Sequence, residues 1–86
     1  MNNNHLNTKI REFILKKFPL GRRKGLNDSD GLLETGIVDS LGVLQIVTFI
    51  EEEFLITVAD EDLVPENFQS IERLAAFVRN KTSHKG

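Results

Sequence analysis

Ser40 is the residue in this 86-residue chain on which chemistry is most readily placed. It follows Asp39 and precedes Leu41, from which Val43, Ile46, Val47, Ile50 and Phe54 recur three or four residues apart. That spacing draws one apolar stripe along a helix, with Asp39 and Ser40 where a short oxygen-bearing side chain caps the first N–H groups. A hydroxyl at such an end faces backbone dipoles that favour an anion, so a phosphate ester formed there would be stabilised. Serine nucleophilic catalysis would need a fixed base beside it. The two histidines, His5 and His84, both lie in terminal stretches. With no cysteine, any thioester chemistry must borrow its thiol. Neither a glycine-rich phosphate loop nor a His/Cys cluster for a metal is present. The consecutive acids Glu51–Glu53 and Asp60–Asp62 suggest a solvated helix end and a helix start. No catalysis is expected of this chain, and Ser40 is either a tether or a cap.

The elements that must position Ser40 can be read in order. Asn7 or Thr8 is an acceptable cap for a first helix whose stripe is Ile10, Phe13, Ile14 and Phe18, ended by Pro19 and Gly21. Arg22-Arg23-Lys24-Gly25 reads as exposed loop; a nucleic-acid patch would need more basic charge and interleaved aromatics. Asn27-Asp28-Ser29-Asp30-Gly31 lacks the closing acid of a calcium loop, since Ile37 stands there, and reads as turn. Leu32, Leu33, Ile37 and Val38 should pin the long loop that follows. After the Ser40 helix, Leu55–Val58 is β-prone but has no strand to pair with, leaving an extended connector with Ile56 or Val58 buried. Asp60-Glu61-Asp62 should open a short third helix limited by Pro65, with Leu63 and Val64 inward and Phe68 in the core. Ser70 caps a last helix whose face is Ile71, Leu74, Ala75 and Val78. The expected fold is all-α: a four-helix bundle of three longer helices and a short third, with a long loop between the first two.

The length gives a single domain over 1–86, with tails expected at 1–6 and 81–86. No apolar run is long enough to span a membrane. Met1–His5 lacks the basic and apolar regions of a secretory signal, so a cytoplasmic location is expected. The net charge is −2, unevenly spread. Residues 1–31 hold seven Lys/Arg against three acids, and residues 32–86 hold four against ten. The acidic second half suits partners with basic surfaces.

Asp39-Ser40-Leu41, with the apolar helix ending Glu51-Glu52-Glu53-Phe54, resembles the acyl carrier protein family over about Thr8 to Val78. The resemblance implies that a separate phosphopantetheinyl transferase attaches 4′-phosphopantetheine from coenzyme A to Ser40, with Asp39 and Leu41 flanking the site. It also implies an acyl-activating ligase or acyltransferase that loads a thioester, and downstream synthase enzymes of lipid, polyketide or peptide biosynthesis. Partners would dock on Leu41, Gln45, Thr48, Glu51 and Glu52, with Asp60 and Glu61 nearby, and the carrier would be a monomer. A sheltering pocket would draw on Val47, Ile50, Val58, Leu63, Phe68 and Ala75.

The chain departs from the fatty-acid pattern at Gly42 and Gln45, where acids are usual. Gly36 also stands one residue farther from Asp39 than usual, and the first half is unusually basic. Gly-x-x-Asp-Ser spacing resembles that of specialised stand-alone carriers, including D-alanyl and peptidyl carriers. The competing class is a non-catalytic helical adaptor that binds a protein through its acidic face and leaves Ser40 bare.

Overall fold

The computed structural model describes residues 3–83. Helices α1 (Asn3–Lys17), α3 (Ser40–Phe54) and α4 (Ile71–Ser83) are long, and α2 (Pro19–Lys24) is a short fourth α-helix. Two 3₁₀ turns, Asp60–Asp62 and Pro65–Phe68, link α3 to α4, and the described residues contain no strand. The long helices surround one core in which Ile10, Ile14, Leu32, Ile46, Ile50, Phe68, Ile71, Leu74 and Val78 are almost wholly buried. These are apolar positions expected of the three helical stripes and the pinned loop, together with Phe68, expected in the core on its own. Truncating any one of the large side chains to alanine would cost about 2–5 kcal/mol.

Several local expectations need correction. Helix α1 already includes Asn3, so neither Asn7 nor Thr8 caps it, and residues 3–6 are helical rather than tail. The Asn7 amide instead donates to Asp28 Oδ2 at 2.8 Å, tying the helix to the loop. At the other end, 81–83 belong to α4; Met1, Asn2 and 84–86 lie outside the described residues. Pro19 does end α1, but it also opens α2 as its first residue, where its missing N–H costs nothing. Arg22, Arg23 and Lys24 therefore belong to a helical turn, not a loop, and Gly25 closes it at φ 67°, a conformation open to glycine.

The turn formers Asn27–Gly31 have a larger part than their composition suggested. Arg11 pairs with Asp28 and also donates to the Leu26 carbonyl at 2.6 Å. The Asp28 carbonyl accepts the Glu72 N–H at 3.0 Å, and Gln69 accepts the Leu32 N–H at 2.7 Å. The long loop is thus fastened to α1 on one side and to the start of α4 on the other. Leu32, Ile37 and Val38 are buried beneath it and Leu33 is half-buried.

The expected third helix is replaced by the two 3₁₀ turns, and Leu63 and Val64 are 42% and 39% exposed rather than inward. Pro65 starts the second turn, and one 3₁₀ turn is too short to present an apolar face to the core. Phe68 alone reaches inside, 1% exposed. Ile56 is buried and Val58 half-buried, as the connector reading required.

Asp62 holds this segment to α4. Its carboxylate accepts from Lys81 at 2.7 Å and from the Ala59 N–H at 2.9 Å. The Lys81 hydrogen bond, then the Ala59 one, hold its carboxyl below the ordinary range. A depressed folded-state pKa adds stability above the unfolded value, about 3.9, that is lost as pH falls through the folded one. Asp62→Asn should therefore flatten the acid limb of a stability–pH profile below about pH 4, as followed by urea midpoints. An unchanged limb would show that the pair is not formed.

Ser70 caps α4 as expected, its buried hydroxyl accepting the Arg73 N–H at 3.2 Å. Ser70→Ala should cost about 1 kcal/mol. In a domain of this size that is a fall in Tm of about 4–8 °C, readable by calorimetry.

Candidate functional site

Asp39 is the N-cap of α3, its backbone extended at φ −107° and its Oδ1 accepting the Gly42 N–H at 2.8 Å. Its carbonyl accepts the Val43 N–H at 2.9 Å. With the capping oxygen supplied by Asp39, the side chain of Ser40 is left exposed at the first helical position. Its hydroxyl stands at the positive end of a 15-residue helix. The N–H groups of Ser40 and Leu41 have no intrahelical acceptor, as at every helix start. Leu41 is 71% exposed, so it stands apart from the buried stripe of Ile46 and Ile50, with Val43, Val47 and Phe54 half-buried beside them.

A cleft of about 190 Å³ opens beside Ser40, lined by Leu33, Val43, Leu63, Val64, Pro65 and Phe68. Of the six residues expected to shelter cargo, only Leu63 and Phe68 reach it; Ile50 and Ala75 are closed into the core. The same 3₁₀ geometry that keeps Leu63 and Val64 from the interior makes them a cleft wall. An exposed hydroxyl at a helix start beside an apolar cleft has room for a phosphodiester carrying a flexible, partly apolar arm.

Along α3, Leu41, Leu44, Gln45, Thr48 and Glu52 form an exposed row at three- and four-residue spacing. Leu44 is 56% exposed and was not singled out from the sequence, although it lies out of phase with Ile46 and Ile50. Glu51 is half-buried and its carboxylate accepts the Val58 N–H at 2.9 Å, which fastens the connector. Asp60 and Glu61 are exposed on the first 3₁₀ turn.

Gly42 is buried against Phe18, at the α1–α2 junction, and Val38. A Cβ there would stand 2.8 Å from Phe18 Cε1 and 2.9 Å from Val38 Cγ1. Phe18 thus seats the α1–α2 junction directly on the first turn of α3. No sequence pattern marked this contact, because it joins residues 24 apart through the absence of a side chain. His5 is exposed on α1, and among the described residues no three His, Cys, Asp or Glu side chains cluster as metal ligands.

A family model described as "Phosphopantetheine attachment site" matches residues 9–78. The "Probable acyl carrier protein PigG" of Serratia sp. is 28% identical over 79 residues, covering 92% of this chain and 91% of that protein. An acyl carrier protein of Buchnera aphidicola is 31% identical over 78 residues, covering 91% and 95%. A holo acyl carrier protein from Nitrosomonas europaea, solved by solution NMR, superposes with a TM-score of 0.75 at 34% identity, covering 93% and 98%. The chain belongs to the phosphopantetheine-attachment family and is an acyl carrier protein, a non-catalytic carrier whose cofactor is covalently bound 4′-phosphopantetheine.

Proposed function

We propose that Ser40 is the attachment residue and that this protein is a stand-alone carrier for a specialised acyl or aminoacyl pathway. The observation that carries the reading is the division of labour at the start of α3: Asp39 caps, and Ser40 is left exposed beside an apolar cleft. When attached, the arm supplies the thiol that this sequence lacks, on which cargo is held as a thioester. In the loading reaction the Ser40 oxygen forms the new bond to phosphorus and the P–O bond to the adenosine bisphosphate of coenzyme A breaks. The serine proton passes to a base of the transferase, since the one carboxylate next to Ser40, that of Asp39, is engaged in capping α3. Leu33, Val43, Leu63 and Val64 then flank the arm's root and exclude water from one side of it.

Docking of the transferase, of an acyl-activating ligase or acyltransferase, and of downstream synthases is assigned to Leu41, Leu44, Gln45, Thr48 and Glu52. Asp60 and Glu61 extend the acidic rim, while Glu51 adds charge with its carboxylate already engaged by Val58. The carrier acts as a monomer alongside these enzymes in the cytoplasm. Gly42 and Gln45, in place of acids, favour a specialised carrier over the fatty-acid one.

The test is intact mass after incubation with coenzyme A, magnesium and a broad-specificity transferase, with the modified peptide sequenced by tandem mass spectrometry. A gain of one phosphopantetheine on Ser40 is expected. No gain with several transferases would leave the adaptor, binding through the acidic face alone, as the better description.

A further inference from the structure

We infer that Lys16 and Lys17 form a specificity edge that selects partner enzymes with a carboxylate opposite them and disfavours wholly basic docking surfaces. This deepens the carrier reading and rests on it. Lys9 and Phe13 of α1 meet Glu53 and Phe49 of α3, so the two helices run in opposite directions along a shared surface groove. Its floor is the stacked pair Phe13 and Phe49, ring centroids 4.1 Å apart and interplanar angle 11°. One stretch is lined by Lys9, Glu12, Lys16, Lys17 and Glu53, and the adjoining one by Lys17, Gln45, Thr48 and Glu52. The groove is therefore continuous with the exposed row of α3.

Charge along it is ordered. At the far end Lys9 and Glu53 neutralise each other at 2.6 Å. Toward Ser40, Lys16 and Lys17 are exposed and make no ion pair among the described residues. Phe18, the next residue, is the one seated on the first turn of α3, which brings these lysines to the attachment end. Arg22 is not part of this edge: it donates to the Leu15 carbonyl at 2.9 Å and lines a different hollow with Leu15, Gly25 and Leu26. On α3 the groove residue nearest the attachment end is Gln45, which offers no acid to offset Lys17. A docking surface made only of arginines and lysines would meet attraction at Glu52 and repulsion at Lys16 and Lys17. One with a carboxylate at the latter place meets complementarity along the whole groove, the arrangement by which like charges exclude wrong partners.

The probe is a phosphopantetheinyl transferase chosen for a wholly basic docking surface, with kcat/KM measured on the native chain and on variants. The double variant Lys16→Glu/Lys17→Glu should raise kcat/KM about tenfold at low salt, and the gain should shrink at high salt. Arg73→Glu/Arg79→Glu, at exposed positions on α4, makes the same change in net charge and should raise it far less. Both lysines are exposed, so the variants should fold, as circular dichroism will check. An unchanged or lower rate in the lysine variant, or an equal rise in the α4 control, overturns the edge while leaving Ser40 modification intact. Absence of modification in every chain overturns the carrier reading and this one with it.

Discussion

Ser40→Ala should abolish the gain of one phosphopantetheine completely, under conditions that convert the native chain in full, while leaving the fold in place. In the proposed reading the hydroxyl oxygen is the atom that forms the ester, and alanine offers none. The stability half of the prediction follows from who caps the helix. Asp39 Oδ1 takes the Gly42 N–H, whereas Ser40 is exposed at the first helical position and alanine is well suited to a helix. A surface change of that kind stays within about 0.5 kcal/mol, a shift in Tm of no more than about 4 °C. Asp39→Ala should behave in the opposite sense, keeping the hydroxyl but losing about 1 kcal/mol with the cap. Intact mass and thermal melts on the two variants separate tether from cap. Retained mass gain in Ser40→Ala would place the arm elsewhere.

Gly42→Asp should lose about 3 kcal/mol of unfolding free energy. The new Cβ must displace the Phe18 ring edge and a Val38 methyl, both from well-packed positions, and overpacking of this sort costs about 1–3 kcal/mol. The carboxylate would then sit partly buried against apolar groups, a further cost of similar size. An acid in a first turn gains about 0.3–1 kcal/mol from the helix dipole, and leaving glycine gains less than about 1, so the clash wins. Gly42→Ala, which adds the clash and the propensity but no charge, should come out about 1 kcal/mol less stable than native. Urea midpoints at constant m-value are the measure. A Gly42→Asp chain as stable as the native one would show that Phe18 is not held on α3. The same contact explains why the position where a fatty-acid carrier usually has an acid is glycine here: Phe18 occupies the space.

The groove next to this contact changes how the charge asymmetry of the chain is understood. Counted along the sequence, the basic first half and acidic second half look like two separate regions. Folded, Lys17 and Glu52 line one groove, within reach of a single partner surface. Opposite fields so placed govern which encounters succeed more than how tightly they end. That is a property of the antiparallel packing of α1 on α3, not of either helix.

The sequence by itself determined the three long helices, most of the core and the place of the Ser40 hydroxyl at the start of α3. Each of these is written in local terms: a 3.6-residue stripe such as Ile46 and Ile50, a capping oxygen such as Asp39 or Ser70, a breaker such as Pro19. Only the tertiary structure decided that Asp28 is a hub for Arg11, Asn7 and Glu72, and that Leu63 and Val64 form a cleft wall instead of core. It likewise decided that Gly42 leaves room for Phe18 and that Lys17 borders the exposed row of α3. Those outcomes depend on pairs distant in the chain, where the energy lies in a close approach or a long-range hydrogen bond. Local spacing carries no record of either.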